Sequence, residues 1–346
     1  MKHLGFKLAA IFVILVLLAA GTAAWAAESG EKWHLLISVH NLDSEFWAQE
    51  AAGAVLFAES RPDVEYTIQP SNGDDNTLLQ GLKDFIAQHG KRSIAVFDPS
   101  SAANTVNIAD ICEEAGVYYS LTWHLAEGLR PEDYKYFVGL FSPDDEVSGY
   151  KTASHLLEAI GKKGNVVYLH GKIGEDSAAR RYQGMKRALS ECPDVKLVDY
   201  QVADWDQEKA MAITETWLAT KGPIDGIIAA NDTMALGAIE ALKKAELNGK
   251  VPVTGTDGIQ AAFDAIKGGD MLATIANDGY LLFGYAAAYA YAAATGQPHE
   301  KGAFYTNAVF VTKDNVEQVI ADYIKGKPTF DFSDLKFPIL SKREIK

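Results

Sequence analysis

Ten short apolar runs recur along this chain, and most are followed by a stretch with helical spacing. The runs are Leu35–Val39, Val64–Gln69, Ile94–Phe97, Val117–Leu121, Tyr136–Leu140, Val166–His170, Lys196–Gln201, Gly226–Ala230, Val251–Gly255 and Leu272–Ile275. Between them lie helical patterns over Phe46–Glu59, Asn76–Gln88, Asn104–Glu114, Glu146–Ile160, Ala178–Leu189, Gln207–Thr220, Thr233–Ala245 and Leu281–Ala294. Continuous apolar strands flanked by amphipathic helices are parallel strands buried on both faces. Repeated strand–helix units wind into doubly wound α/β sheets. Ten strands exceed one compact sheet, so two lobes are expected. The first runs from about Trp33 to Leu140, and the second starts near Ser142-Pro143-Asp144. Asp176-Ser177 and Asp232-Thr233 read as helix starts, because short polar side chains accept from the free N–H groups of a first turn. Ser44 and Asp278 read as caps of the same kind. A tail from Lys327, with Phe330, Phe332 and Phe337, is expected to pack across the surface.

Ahead of this pattern, Lys2 and Lys7 flank the start of an unbroken apolar stretch, Leu8 to Ala20, which leads to Ala24-Trp25-Ala26. A basic start, a short apolar core and an A-x-A site make a secretory leader over 1–26. The 13-residue run falls short of the roughly 20 needed to span a bilayer. The expected product is soluble and exported. The formal charge of the whole chain is −14, and loss of the two leader lysines makes it more acidic. Such a surface repels nucleic acid and anionic membranes. Cys112 and Cys192 are too few for a disulfide framework and read as buried or free thiols. No sequence pattern calls for a metal or another cofactor. G-x-S-x-G, H-E-x-x-H and a phosphate loop are all missing, and Gly161-Lys162-Lys163-Gly164 lacks Walker spacing.

Ligands of parallel α/β sheets gather beyond the C-terminal ends of the strands. Ser38, Asn41, Ser44, Phe46 and Trp47 follow the first run, and Thr122 and Trp123 follow the fourth. The second half supplies Arg180, Asp204-Trp205, Asn231-Asp232, Asp257 and Asn277-Asp278. Flat rings cover the C–H faces of a polyhydroxylated ring, and Asp, Asn and Arg meet its hydroxyl rim. The set therefore suits a neutral sugar or polyol. Asp232 reads first as a cap, a lone Arg180 as a surface residue, and one of Phe46 and Trp47 as core. His34, His124, His155 and His170 read as structural or exposed.

Ser177-Ala178-Ala179-Arg180, Asp204-Trp205-Asp206, Asn231-Asp232-Thr233-Met234-Ala235-Leu236-Gly237-Ala238, Gly255-Thr256-Asp257-Gly258 and Ala273-Thr274-Ile275-Ala276 together resemble the ribose-binding-protein family of periplasmic sugar receptors. The order and spacing agree along nearly the whole chain after the leader. The resemblance implies a type I periplasmic binding fold, with two doubly wound parallel-sheet lobes joined by three hinge strands. It places 32–141 plus 278–306 in one lobe and 142–277 plus 307–346 in the other, with crossings near Ser142, Asn277 and Asn307. It further implies sugar bound between the lobes, hinge closure, and delivery to an ABC permease. Arg180, Asn231 and Asp257 match the family's polar ligand contacts. Trp205, Phe46 and Trp47 match its aromatic ones, and Asn277 stands where ribose receptors carry Gln. Two departures count against ribose. The Val39–Glu45 loop is longer, and Thr122-Trp123 replaces an acidic–Arg pair, so a hexose pyranose or another cyclic polyol is favoured. A monomer is expected. A chemoreceptor or sensor kinase is the alternative partner, and an exported glycoside hydrolase is the enzyme reading it displaces. Lactose-type repressors share the core, but no helix-turn-helix precedes Trp33.

Overall fold

The computed structural model describes residues 31–321, 332 and 339–342. The leader expected at 1–26, and Phe330 and Phe337 of the tail, lie outside the described residues. Among the described residues no helix is long and apolar enough to cross a membrane.

Two α/β sheets form. The first runs β13-β11-β5-β4-β3-β1-β2 and the second β12-β10-β9-β8-β6-β7. In the first, β1 (Trp33–Val39), β2 (Val64–Pro70), β3 (Ser93–Phe97), β4 (Tyr118–Thr122), β5 (Phe137–Ser142) and β11 (Gly302–Thr306) are parallel. In the second, β6 (Gly164–His170), β7 (Val195–Val202), β8 (Gly226–Ala229), β9 (Val253–Thr254) and β10 (Ala273–Asn277) are parallel, and β12 (Ala308–Thr312) is antiparallel to β10. The central strands β3, β5 and β8 are buried throughout, because helices cover both faces. The edge strands β2 and β7 carry Glu65, Lys196 and Asp199 on exposed or half-buried positions, which discourages edge-to-edge pairing with another chain.

Except for β4, which leads to β5, and β11, which leads to β12, the strands up to β12 each hand over to a helix: α1 (Glu45–Glu59), α2 (Asp75–His89), α3 (Asn104–Ala115), α4 (Asp145–Ala159), α5 (Asp176–Ser190), α6 (Gln207–Thr220), α7 (Asp232–Lys244), α8 (Gln260–Gly268), α9 (Gly279–Thr295) and the short α10 (Val316–Ile320). Asp74, Asp144, Asp206, Asn231 and Asp278 cap their helices by accepting from the amide three residues on. Two of the expected starts shift by one residue. Glu175, not Asp176, is the N-cap of α5, and Asn231, not Asp232, caps α7. Ser44 is an N-cap without a side-chain bond. Asp232 is instead fully buried, where it accepts from the amides of Gly258 and Ile259 and from the Thr274 hydroxyl.

The chain passes between the sheets after Ser142, after Asn277 and at Asn307, where β11 ends and β12 begins. The expected placement of all of 307–346 in the second lobe needs correction. β12 and α10 belong there, but β13 (Ile339–Lys342) pairs antiparallel with β11 in the first sheet. Phe332 is buried against Phe57 of α1 and Tyr285 of α9. The edge of β11 away from β5 offers unpaired backbone groups, and the returning chain satisfies them. Cys112 and Cys192 are free, buried thiols in different lobes.

In the second lobe α4 and α5 cross at near backbone contact. A Cβ at Gly149 would overlap the Arg181 carbonyl, and one at Gly184 would overlap that of Glu146. These two glycines set how deep α5 lies, and with it the cleft residues at its start. Gly149→Val is therefore expected to destabilise the protein by about 3 kcal/mol through overpacking. Urea unfolding followed by circular dichroism checks this, and an unchanged midpoint would refute the close crossing.

Candidate functional site

The C-terminal ends of both sheets face one cleft. From the first lobe come His40 after β1, Ser44, Phe46 and Trp47 at the start of α1, Asp98 after β3, and Trp123 and His124 after β4. From the second come Glu175, Ser177 and Arg181 at the start of α5, and Trp205, Asn231 and Asp257 from the loops after β7, β8 and β9. The space between these residues is about 440 Å³, open solvent included.

Arg181 organises the floor. Its Nε donates to Asp145 Oδ1 at 2.8 Å, and its Nη1 donates to the Ala230 carbonyl at 2.8 Å and to Asp257 Oδ1 at 3.2 Å. The guanidinium carbon lies 5.4 Å from the Trp123 ring centre and 5.8 Å from that of Trp205. One cation thus ties three loops and touches rings from both lobes. Asp257 is pushed up to about 7, first by burial and against the pull of Arg181.

Three indoles line the cleft, and each spends its N–H on a buried carboxyl group. Trp123 Nε1 donates to Glu50 Oε1 at 2.7 Å, Trp205 Nε1 donates to Glu175 Oε2 at 2.6 Å, and Trp47 donates to Asp98. A tryptophan tied by its edge is held at a fixed tilt. Trp47 stacks on His40 with centroids 4.5 Å apart and planes 9° from parallel, and Phe46 meets Trp123 edge-on at 5.6 Å. Trp123 and Trp205 hold left-handed backbone angles, φ 59° and 64°, and Asp257 has φ 134°. Such conformations cost about 1–3 kcal/mol each and collect where geometry is functional.

Contacts across the cleft join the lobes. The Asp176 amide donates to His124 Nδ1 at 3.2 Å, Lys172 Nζ to the Gly73 carbonyl at 3.2 Å, and the Gln260 amide to Glu45 Oε1 at 2.8 Å. His40, Asp98 and His124 each bring one ligand-type atom within 4.8 Å of the others, the spacing a metal ion needs. Nδ1 of His124 is an acceptor here, however, so its Nε2 carries the hydrogen and faces the cleft as a donor. That Nε2 lies 3.8 Å from both Asp98 Oδ1 and Glu175 Oε2, which come from opposite lobes. One donor and two acceptors at that spacing suit a bridging hydroxyl better than a cation.

Residues 35–298 match the family model described as periplasmic binding protein domain. The chain belongs to the periplasmic binding protein family. It is 28% identical over 330 residues to the xylitol-binding protein of Mycolicibacterium smegmatis, covering 95% of this chain and 91% of that one. It is 32% identical over 270 residues to the D-allose-binding periplasmic protein of Escherichia coli, covering 76% and 84%. The crystal structure of a twin-arginine translocation pathway signal protein from Burkholderia phytofirmans superposes with a TM-score of 0.86 at 31% identity, covering 91% of this chain and 99% of that one. The two parallel-sheet lobes are the type I periplasmic binding fold.

Of the residues singled out from the sequence of this binding protein, Phe46, Trp47, Trp123, Trp205, Asn231 and Asp257 meet in the cleft. Ser38 and Thr122 are buried in strand ends beneath it, with Thr122 donating to the Phe97 carbonyl. Asn41 turns inward on its own loop and accepts from the amides of Asp43 and Ser44. Asn277 is buried beside Asp257, whose carbonyl takes its amide, and its side-chain amide has no protein partner. Arg180 is a correction. It points outward, half-buried, and pairs with Asp176 on its own helix. The cleft arginine is Arg181, one residue and about 100° further round α5. His124, expected to be structural or exposed, is buried in the cleft wall, where it accepts from the Asp176 amide. His40, Asp98 and Glu175 are cleft residues that no motif marked.

Arg181→Ala is expected to destabilise the protein by about 3–5 kcal/mol, because Asp145 and Asp257 would lose the buried cation that pairs with both. Arg180→Ala should change stability by less than about 0.5 kcal/mol, as for an ordinary surface pair. Chemical unfolding of both variants decides between the two arginines, and equal losses would contradict this assignment.

Proposed function

We propose that this periplasmic binding protein captures one neutral sugar or polyol between its lobes and delivers it to an ABC permease. The observation that carries the reading is the pairing of edge-anchored rings with unspent hydrogen-bonding atoms in one two-lobed cleft. Because the indole N–H groups are already bonded, the rings offer apolar faces to ligand C–H groups. Asp98 Oδ1 and Glu175 Oε1 are buried without a hydrogen-bond partner, and His124 Nε2 lies 3.8 Å from Asp98 Oδ1 and from Glu175 Oε2. This rim favours groups that both give and take hydrogen bonds, as hydroxyls do. Arg181 is largely committed to carboxylates, which argues against an anionic ligand.

Relatives named for xylitol and for D-allose support the ligand class. Within it a hexose pyranose or cyclic polyol is favoured over ribose, because the Trp123 ring stands where ribose receptors carry an acidic–Arg pair. The ligand sites we assign are Trp47, Trp123, Arg181, Trp205, Asn231 and Asp257, with Asn277 completing the hinge side. The leader at 1–26 would export the protein to the periplasm as a monomer. A chemoreceptor or sensor kinase could read the same closed form. Relatives named as binding proteins support a carrier rather than an enzyme.

Closure follows from the two-lobed site. A ligand that touches both lobes gains its full set of contacts only when they approach, so it shifts the population toward the closed form. A thermal-shift panel on the mature protein, spanning hexoses, pentoses, pentitols, inositols and sugar acids, tests the reading. Neutral hexoses or cyclic polyols should stabilise best, sugar acids least, and Trp205→Ala and Asp257→Asn should each weaken the best ligand by about 1.5–3 kcal/mol. Stabilisation by sugar acids alone, or full affinity in both variants, would sink it.

A further inference from the structure

Glu50 is a fully buried acid on the inner face of α1, in line with Phe46, Ala54 and Phe57. Among the described residues no lysine or arginine pairs with it. Its Oε1 accepts from Trp123 Nε1, while its Oε2 and Asp98 Oδ1 are both buried without a hydrogen-bond partner. The Glu50 and Asp98 carboxyl groups are neighbours that act on each other. Two buried carboxylates side by side repel unless one of them holds a proton.

We propose that Glu50 is a positioning residue held as a neutral carboxylic acid, which accepts the Trp123 indole N–H on one oxygen and donates its own proton to Asp98 with the other. One buried proton then sets two elements of the first-lobe wall. It fixes the tilt of the Trp123 ring. It also leaves Asp98 as the ionised acceptor, aimed at the cleft and held by Trp47 and Glu50. The surroundings agree in sign. Burial raises Glu50, and the carboxyl groups of Asp98 and Asp257 raise it further, against the Trp123 hydrogen bond that lowers it. Burial raises Asp98 too, and Glu175 and Asp257 add to it, while Trp47 and Glu50 are the neighbours that lower it. None of the nearby cationic or cationisable groups described is paired with Glu50. Arg181 is bound to Asp145 and Asp257, Lys172 reaches Gly73 and Glu175, and His124 Nε2 stays 3.8 Å from Asp98. His40 stacks on Trp47 and is lowered to about 4 by burial, so it is neutral.

The effect on ligand rests on the reading under Proposed function; the proton itself does not. Two variants separate the roles. Glu50→Gln keeps an acceptor for Trp123 and supplies a permanent donor to Asp98, so it reproduces the neutral acid. Glu50→Leu fills similar space and supplies neither.

In calorimetric titrations with D-allose and xylitol as probes, Glu50→Gln should bind within about threefold of wild type and Glu50→Leu at least tenfold more weakly. A ligand-free readout stands beside this. An acid that keeps its proton in the folded chain and loses it in the unfolded chain above about pH 4.5 makes stability fall as pH rises. Between pH 5.5 and 8 the wild-type melting temperature should therefore drop by about 3 °C or more beyond the drop seen for Glu50→Gln. Parallel melting profiles, or a Glu50→Gln variant as impaired as Glu50→Leu, would overturn the proposal. If neither probe binds wild type, the choice of ligand fails, and the melting profiles still decide the proton.

Discussion

The site depends on a single buried guanidinium. Arg181 sits at the start of α5, almost inaccessible to water, and holds Asp145 at the first crossing, Asp257 after β9 and the Ala230 carbonyl after β8. Removing so polar a group from water is costly, and the pairing restores only part of that cost. What it secures is arrangement. Three loops from separate parts of the chain take fixed positions around one rigid fork, and two tryptophans flank its plane. The glycine contacts between α4 and α5 matter for the same reason, since they seat the backbone of Arg181 itself.

Around that cation the cleft holds an excess of acids. Glu50, Asp98, Glu175 and Asp257 are all buried and all raised above the ordinary carboxyl range, with burial the leading cause in each. An acidic protein surface does not produce this; desolvation does. The consequence is a pocket whose free atoms are mainly acceptors and whose proton inventory belongs to its structure. Indole N–H groups moderate the excess by donating to three of these carboxyl groups, and in return the carboxyl groups orient the rings. Ring orientation and acid protonation are therefore one coupled arrangement, and neither is legible from residue types alone.

The lobes meet through thin polar contacts. A helix amide of α5 rests on His124, the uncapped start of α8 is completed by Glu45 from the opposite lobe, and Lys172 reaches Gly73. Each is a backbone group satisfied from across the cleft, so opening exposes it to water, where it loses little.

The alternation of apolar runs and helical stretches was enough to read two doubly wound lobes, because strand burial and helix amphipathicity are local, periodic properties. The same logic located the cleft, since strand ends are readable to within a residue or two and ligands collect there. It failed where one residue decides. Arg181 shares a helical stripe with Ala178, Met185 and Ala188, and that 3.6-residue phase marks it as inward-facing, whereas the motif matched its neighbour Arg180. Glu50 lies on the apolar stripe of α1 in the same way. Asp98, His124 and Glu175 carry no local signal, because their meaning comes from partners on other strands and on the other lobe. The return of β13 to the first sheet was equally hidden, since an open strand edge exists only once the sheet has formed. The sequence by itself determined the class of fold and the level at which a ligand sits. Tertiary structure alone decided which acids keep protons, which arginine is buried and how the rings tilt, because these depend on desolvation and on neighbours distant along the chain.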